Sequence, residues 1–125
     1  MRNSPHAMIS VPTMACGSTS DCDMLVVMLT TIILSFLAGV WGGNGIPHFV
    51  RGITKQDYPS ALGSGPLPNL VAGWLALATT PLWLLWSPAA DHPVAAWISG
   101  SLGVLAIGLF HAGPGAFGRS TGNRG

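Results

Sequence analysis

The sequence contains few charged residues. Only 7% of its side chains are Asp, Glu, Lys or Arg, glutamate is absent, and 49% of the residues are hydrophobic. An average soluble domain has about 25% charged residues, so this chain cannot cover a water-exposed surface and a soluble globular fold is excluded. A formal net charge of +1 with no basic run also excludes the electrostatic surface that nucleic-acid binding requires.

Catalytic and metal-binding motifs are missing as well. The sequence has no GxSxG, HExxH, CxxC or P-loop motif and no paired carboxylates, so it favours a protein that is not an enzyme and has no cofactor or bound metal. A catalytic site would have to be built from Asn44, His48 and Tyr58 alone. No Asp, Glu, Lys or Arg lies inside an apolar stretch that could form a span, which argues against a proton-coupled transporter.

What the sequence does contain is three long uncharged stretches, at 24–50, 58–90 and 92–118. Each is longer than the roughly 20 residues that cross a bilayer as a helix. We therefore predict an all-α integral membrane protein with a three-helix membrane domain at 24–112, its spans at about 24–43, 70–86 and 94–112. A flexible glycine-rich tail, 113–125, follows the last span.

Residues 1–23 are polar and lack an apolar period, which predicts a disordered segment. A retained signal anchor fits the first span better than a cleaved signal peptide, because the polar segment before it is long and no clear cleavage site follows. Two alternatives stay open at this end of the chain. Translation can start at Met1 or at Met24, and Cys16 and Cys22 can form a small-loop disulfide if they face an oxidising compartment.

Positive residues predict the orientation, since they are retained on the cytoplasmic side. The 44–69 loop and the tail hold four of them, Arg51, Lys55, Arg119 and Arg124, whereas the other side has only Arg2, far from the first span. We therefore expect a multi-pass protein of the bacterial inner membrane with its N-terminus outside and its C-terminus in the cytoplasm.

Each predicted span carries small residues at helical spacing, and such faces let membrane helices approach closely. The first and third spans carry the most prominent ones, Gly39, Gly42, Gly100 and Gly103. The pattern does not decide whether these faces meet within one chain, in a homo-oligomer or against a larger membrane partner. It favours an interaction or accessory protein that packs through them in the bilayer.

The segment after the first span is the most distinctive. It runs Asn44, Ile46, Pro47, His48, Val50 and Gly52, then Tyr58, Pro59 and Asn69. This pattern resembles an uncharacterised family of small bacterial three-span integral membrane proteins with an Asn-x-Ile-Pro-His-x-Val-x-Gly motif after the first span. The resemblance implies a three-span topology and no activity. The chain departs from the family in its extra N-terminal segment, its shorter loop and a reversed Gly73-Trp74 pair.

Glycines and a proline in this segment predict that the first helix ends there. Gly42, Gly43 and Gly45 permit positive φ, and Pro47 lacks the amide that would continue the helical hydrogen bonds. Gly43, Gly45, Pro47 and Gly52 form the structural motif. We expect a cytoplasmic re-entrant or interfacial turn, closed by Asn44, Pro47 and His48 as one structural unit.

Topology places the end of the third span on the same side as this turn. Candidate ligand-binding residues are therefore Asn44, His48, Arg51 and His111, with Arg119 nearby. They could bind an anionic lipid or metabolite at the cytoplasmic face, which is the alternative function that we consider. In the structural alternative the histidines cap helix ends and Arg51 contacts lipid phosphate. Two histidines alone are too few for a zinc site.

Overall fold

The computed structural model describes residues 18–113 and contains three helices. Helix α1 spans Thr19–Ile53, α2 spans Pro66–Trp86 and α3 spans Pro93–Ala112. All three are long and apolar enough to cross a membrane. The structure therefore confirms an all-helical chain with three candidate membrane spans. Prolines at the first positions of α2 and α3 suit helix starts, where the missing amide would be unpaired anyway.

Helix α1 forms the centre of the bundle. Helix α2 packs antiparallel to it and α3 parallel to it, whereas no Cα atom of α2 comes within 8 Å of one in α3. A Cβ atom on Gly39 would overlap the carbonyl of Gly100, and one on Gly103 would overlap the carbonyl of Phe36. The small residues of the first and third spans therefore meet within one chain, which is one of the alternatives that the sequence left open.

The predicted turn after the first span is absent, because α1 continues without interruption through Pro47 to Ile53. The glycines serve close packing instead of chain reversal. A Cβ atom on Gly43 would meet Ile107 of α3, one on Gly45 would meet Ala76, and one on Gly52 would overlap the backbone of Leu70. Packing against two neighbouring helices thus compensates for the hydrogen bond that Pro47 cannot donate. The chain reverses after Ile53, not at Gly43.

Helix α1 also begins earlier than the first predicted span. Ser18 is its N-cap, and its hydroxyl accepts a hydrogen bond from the amide of Asp21. Residues 19–23 thus form the first turn of α1, with Cys22 among them, while Cys16 lies outside the described residues. At about 1.5 Å per residue the helix is roughly 52 Å long, whereas a hydrocarbon core is about 30 Å thick. The N-terminal part of α1 projects beyond the α2–α3 connection, which Thr31 contacts through the carbonyl of Pro88.

An apolar groove follows α1 between the two helices that it separates. Its volume is about 530 Å³. The floor is formed by small residues of α1, from Ser35 to Gly43, and the walls include Leu77 and Leu84 of α2 and Trp97 and Val104 of α3. Because α2 and α3 do not close over it, the groove is open along one side of the bundle.

Candidate functional site

Polar side chains gather at the end of the bundle where α1 ends, α2 begins and α3 ends. Asn44, His48 and Arg51 follow one another on one face of α1, at the i, i+4 and i+7 spacing of a helical stripe. His111 comes from the last turn of α3. The loop of residues 54–65, called the α1–α2 loop below, folds over this stripe. We call the group formed by these four residues with Tyr58 and Asn69 the polar cluster.

Asn69 in the first turn of α2 holds the α1–α2 loop in place. It is completely buried. Its Nδ2 atom lies 2.6 Å from the carbonyl oxygen of Tyr58, 3.1 Å from that of Ser64 and 2.9 Å from that of Gly65. Its Oδ1 atom lies 2.8 Å from Nδ1 of His48. One buried amide therefore connects α1, α2 and the loop.

The loop itself is folded tightly around this amide. The amide of Tyr58 donates to the carbonyl of Ser64 at 2.8 Å, and the hydroxyl of Ser60 donates to the carbonyl of Gly63 at 2.6 Å. Gly63 has a φ of 127°, a conformation that side chains with a Cβ atom rarely adopt. These bonds bring Tyr58 back over α1.

His111 connects α3 to the other two parts of the cluster. Its Nε2 atom lies 2.9 Å from Oδ1 of Asn44, and its Nδ1 atom lies 3.1 Å from the hydroxyl of Tyr58. With the Asn44 oxygen as acceptor, Nε2 donates, and the neutral ring then accepts the Tyr58 hydroxyl proton at Nδ1. Both nitrogens of this histidine are thus engaged.

Tyr58 lies at the centre of the cluster. Its ring meets that of His48 edge to face, with centroids 5.2 Å apart. The guanidinium carbon of Arg51 lies 5.8 Å from the Tyr58 centroid, within the range of a cation–π contact. Arg51 also donates to Gln56 of the loop. The rings of His48 and His111 are 6.4 Å apart between centroids. The ring of Tyr58 therefore contacts both the Arg51 cation and the imidazole of His48.

The structure brings together all four candidate ligand-binding residues, Asn44, His48, Arg51 and His111, while Arg119 lies outside the described residues. Whether they bind a ligand stays a prediction. The structural residues Gly43, Gly45, Pro47 and Gly52 all lie inside α1 and do not form a turn. The sequence prediction missed the roles of Asn69 and Tyr58. The available signal was an amide in the first turn of an otherwise apolar helix, where it must find partners if it is buried.

The chemistry of the cluster is that of hydrogen bonding to a polar group. Among residues 18–113, no group of three or more His, Cys, Asp or Glu could hold a metal ion. The cluster instead offers the Arg51 guanidinium, the Nδ2 donor of Asn44 and the second nitrogen of His48. Arginine suits phosphate and carboxylate because its planar fork of N–H groups matches their oxygens.

No family model, no curated protein and no solved structure matches this chain. The resemblance to a family of three-span membrane proteins therefore stays a prediction.

Proposed function

We propose that this chain is a small integral membrane protein that binds an anionic group, from a lipid or a metabolite, at the polar cluster. The observation that carries the proposal is the position of Arg51. The residue is exposed, but its guanidinium lies over the Tyr58 ring and donates to Gln56 of the loop, and these two contacts hold the side chain at the cluster. A positioned cation loses less side-chain entropy on binding an anion than a mobile one does.

The location of the cluster supports an interfacial ligand. Arg51 lies in the last turn of α1, Lys55 and Asp57 lie in the α1–α2 loop, and all three charged residues are exposed. His48 lies one helical turn from Arg51, toward the apolar part of α1. We propose that this part of α1 lies at the depth where lipid phosphates meet the hydrocarbon. We propose further that this end faces the cytoplasm of a bacterial cell, as the positions of Lys and Arg predict.

The experiment is the analysis of lipids retained by the purified full chain, by native mass spectrometry. Wild type should retain a phosphate-bearing lipid. Arg51→Gln should weaken binding by about tenfold or more, since a hydrogen bond to a charged group contributes about 1.5–3 kcal/mol. Lys55→Gln is the matched control, because it removes the same charge four residues from Arg51. Among residues 18–113, the Lys55 side chain has no hydrogen bond or cation–π contact with the polar cluster.

A soluble ligand needs a second measurement. Inorganic phosphate is titrated against the chain in neutral detergent, and the imidazole ¹⁵N resonances of His48 and His111 are followed. Shifts in wild type that are lost in Arg51→Gln would support a free anion as the ligand. Retention of no anionic lipid, together with no response to phosphate, would contradict the proposed function.

A second candidate function is the one that the small-residue faces favour, an interaction or accessory protein for a homo-oligomer or a larger membrane partner. The apolar groove supports it, because the groove is open on one side and small residues of α1 line it, so another helix could approach α1 closely there. We rank it second because Gly39, Gly100 and Gly103 already pack against each other's helices within the chain. Chemical crosslinking in native membranes would test it, with a single monomer band as the contradicting result.

A further inference from the structure

The buried amide of Asn69 determines which hydrogen bonds His48 can make. Nδ2 of Asn69 faces the three carbonyl oxygens of Tyr58, Ser64 and Gly65, all within 3.1 Å. Carbonyl oxygens only accept hydrogen bonds, so the nitrogen of the amide must be on their side. The amide oxygen then points at His48 and accepts a hydrogen bond from its Nδ1 atom over 2.8 Å.

The proton of a neutral His48 is therefore on Nδ1, and its Nε2 atom carries a lone pair. Nε2 has no hydrogen-bond partner in the part of the chain that the structure describes. Every buried side-chain nitrogen or oxygen in residues 18–113 has a hydrogen-bond partner. Because Nε2 of His48 has none, it is not buried and is accessible to solvent. The cluster thus exposes a hydrogen-bond acceptor in addition to its donors.

The residue that carries this acceptor shares an aromatic neighbour with the cation. Both His48 and Arg51 contact the ring of Tyr58, and the two residues are three positions apart on α1. The other groups around His48 are the ring of His111 from α3 and the Asn69 amide from α2, and no carboxylate among residues 18–113 pairs with it. A ligand that satisfies both positions must present an anionic oxygen to Arg51 and a donor to His48.

We infer that the ligand carries a hydroxyl group beside its anionic group, as a phosphoglycerol or phosphoinositol headgroup does, and that His48 Nε2 accepts the hydrogen bond from that hydroxyl. The inference rests on the proposed function and defines its ligand class. A phosphodiester whose headgroup has no hydrogen-bond donor, such as a choline headgroup, would offer the His48 acceptor no partner. A site built to pair a hydroxyl discriminates against analogues that lack it.

The test compares two lipids with the same charge. The full chain is placed in phosphatidylcholine nanodiscs that contain either phosphatidylglycerol or phosphatidylethanol, whose headgroup is a phosphodiester without a free hydroxyl. Wild type should prefer phosphatidylglycerol by about threefold to tenfold, the effect of one neutral hydrogen bond. Arg51→Gln should lose both lipids, whereas His48→Asn, whose amide can still donate to Asn69 but which lacks the Nε2 acceptor, should lose the preference. The ¹⁵N resonance of His48 Nε2 should show an unprotonated nitrogen that shifts with phosphatidylglycerol only.

The outcomes separate the two proposals. Equal binding of the two lipids, lost in Arg51→Gln, would overturn the inference and leave the proposed function standing. Binding of neither lipid above phosphatidylcholine, with no response to glycerol phosphate in micelles, would overturn both. A response to glycerol phosphate but not to methyl phosphate would support the same chemistry from a soluble source. A protonated Nε2 on an uncharged His48 ring would overturn the inference whatever the variants do.

Discussion

His48 Nδ1 and Asn69 Oδ1 lie 2.8 Å apart and join the central helix to the start of the second. The same asparagine holds the α1–α2 loop through the carbonyls of Tyr58, Ser64 and Gly65. The position of Tyr58, and through it that of Arg51, therefore depends on one buried side chain that contributes no charge.

Asn69→Ala should lower the free energy of unfolding by about 3 kcal/mol or more. The reason is that the Tyr58 carbonyl and His48 Nδ1 lose their partner at once, while the carbonyls of Ser64 and Gly65 lose one of two donors. Each group left without a partner costs about 1–3 kcal/mol. Asn44→Ala is the control, since Asn44 is only half-buried and makes one side-chain hydrogen bond. We expect it to cost about 1 kcal/mol. Thermal unfolding in detergent measures both, and equal losses would show that Asn69 is not the central residue of the cluster.

The sequence predicts the apolar helices and places His48 and His111 at the same end of the bundle. Hydrophobic runs determine the spans, and three spans place both histidines at the same end. The path from Gly43 to Gly52 could not be predicted in this way. Local preferences favour a turn there, and only contacts with Ala76, Ile107 and Leu70 make helix the better choice. The role of Asn69 could not be predicted either, because its partners are carbonyl oxygens of the α1–α2 loop. The conformation of that loop includes a backbone hydrogen bond between Tyr58 and Ser64 that the sequence does not reveal.

Gly39→Ala should destabilise the bundle itself instead of an interface between chains. The added methyl group would overlap the carbonyl of Gly100, so α1 and α3 must separate, and overpacking of this kind costs about 1–3 kcal/mol. Gly108→Ala is the matched control in α3, because nothing lies within 4 Å of its added Cβ atom. Melting temperatures in detergent should differ between the two variants. A stable Gly39→Ala with altered oligomer size would instead indicate that the face is used between chains.

Cysteine accessibility tests the orientation. In a Cys16→Ser, Cys22→Ser background, Lys55→Cys should not react with a membrane-impermeant maleimide added to intact cells, because positive residues favour the cytoplasmic side. Asp91→Cys, which lies in the connection between α2 and α3, should react. Permeabilised cells provide the control that both cysteines are reactive. Labelling of Lys55→Cys from outside would reverse the proposed orientation.

The last prediction separates the two roles of Tyr58. Tyr58→Phe removes the hydroxyl that lies 3.1 Å from His111 Nδ1 and keeps the ring that contacts His48 and Arg51. Loss of one half-buried hydrogen bond should cost about 1 kcal/mol of stability, while anion binding should change little because Arg51 keeps its position. Tyr58→Ala should lose binding as well, since the ring under the guanidinium is gone. The imidazole ¹⁵N resonances of His111 should report the change directly, with the Nδ1 signal losing its hydrogen-bond shift in both variants. If Tyr58→Phe abolished binding as completely as Tyr58→Ala does, the hydroxyl and not the ring would be the group that matters, and Arg51 would not owe its position to the aromatic face.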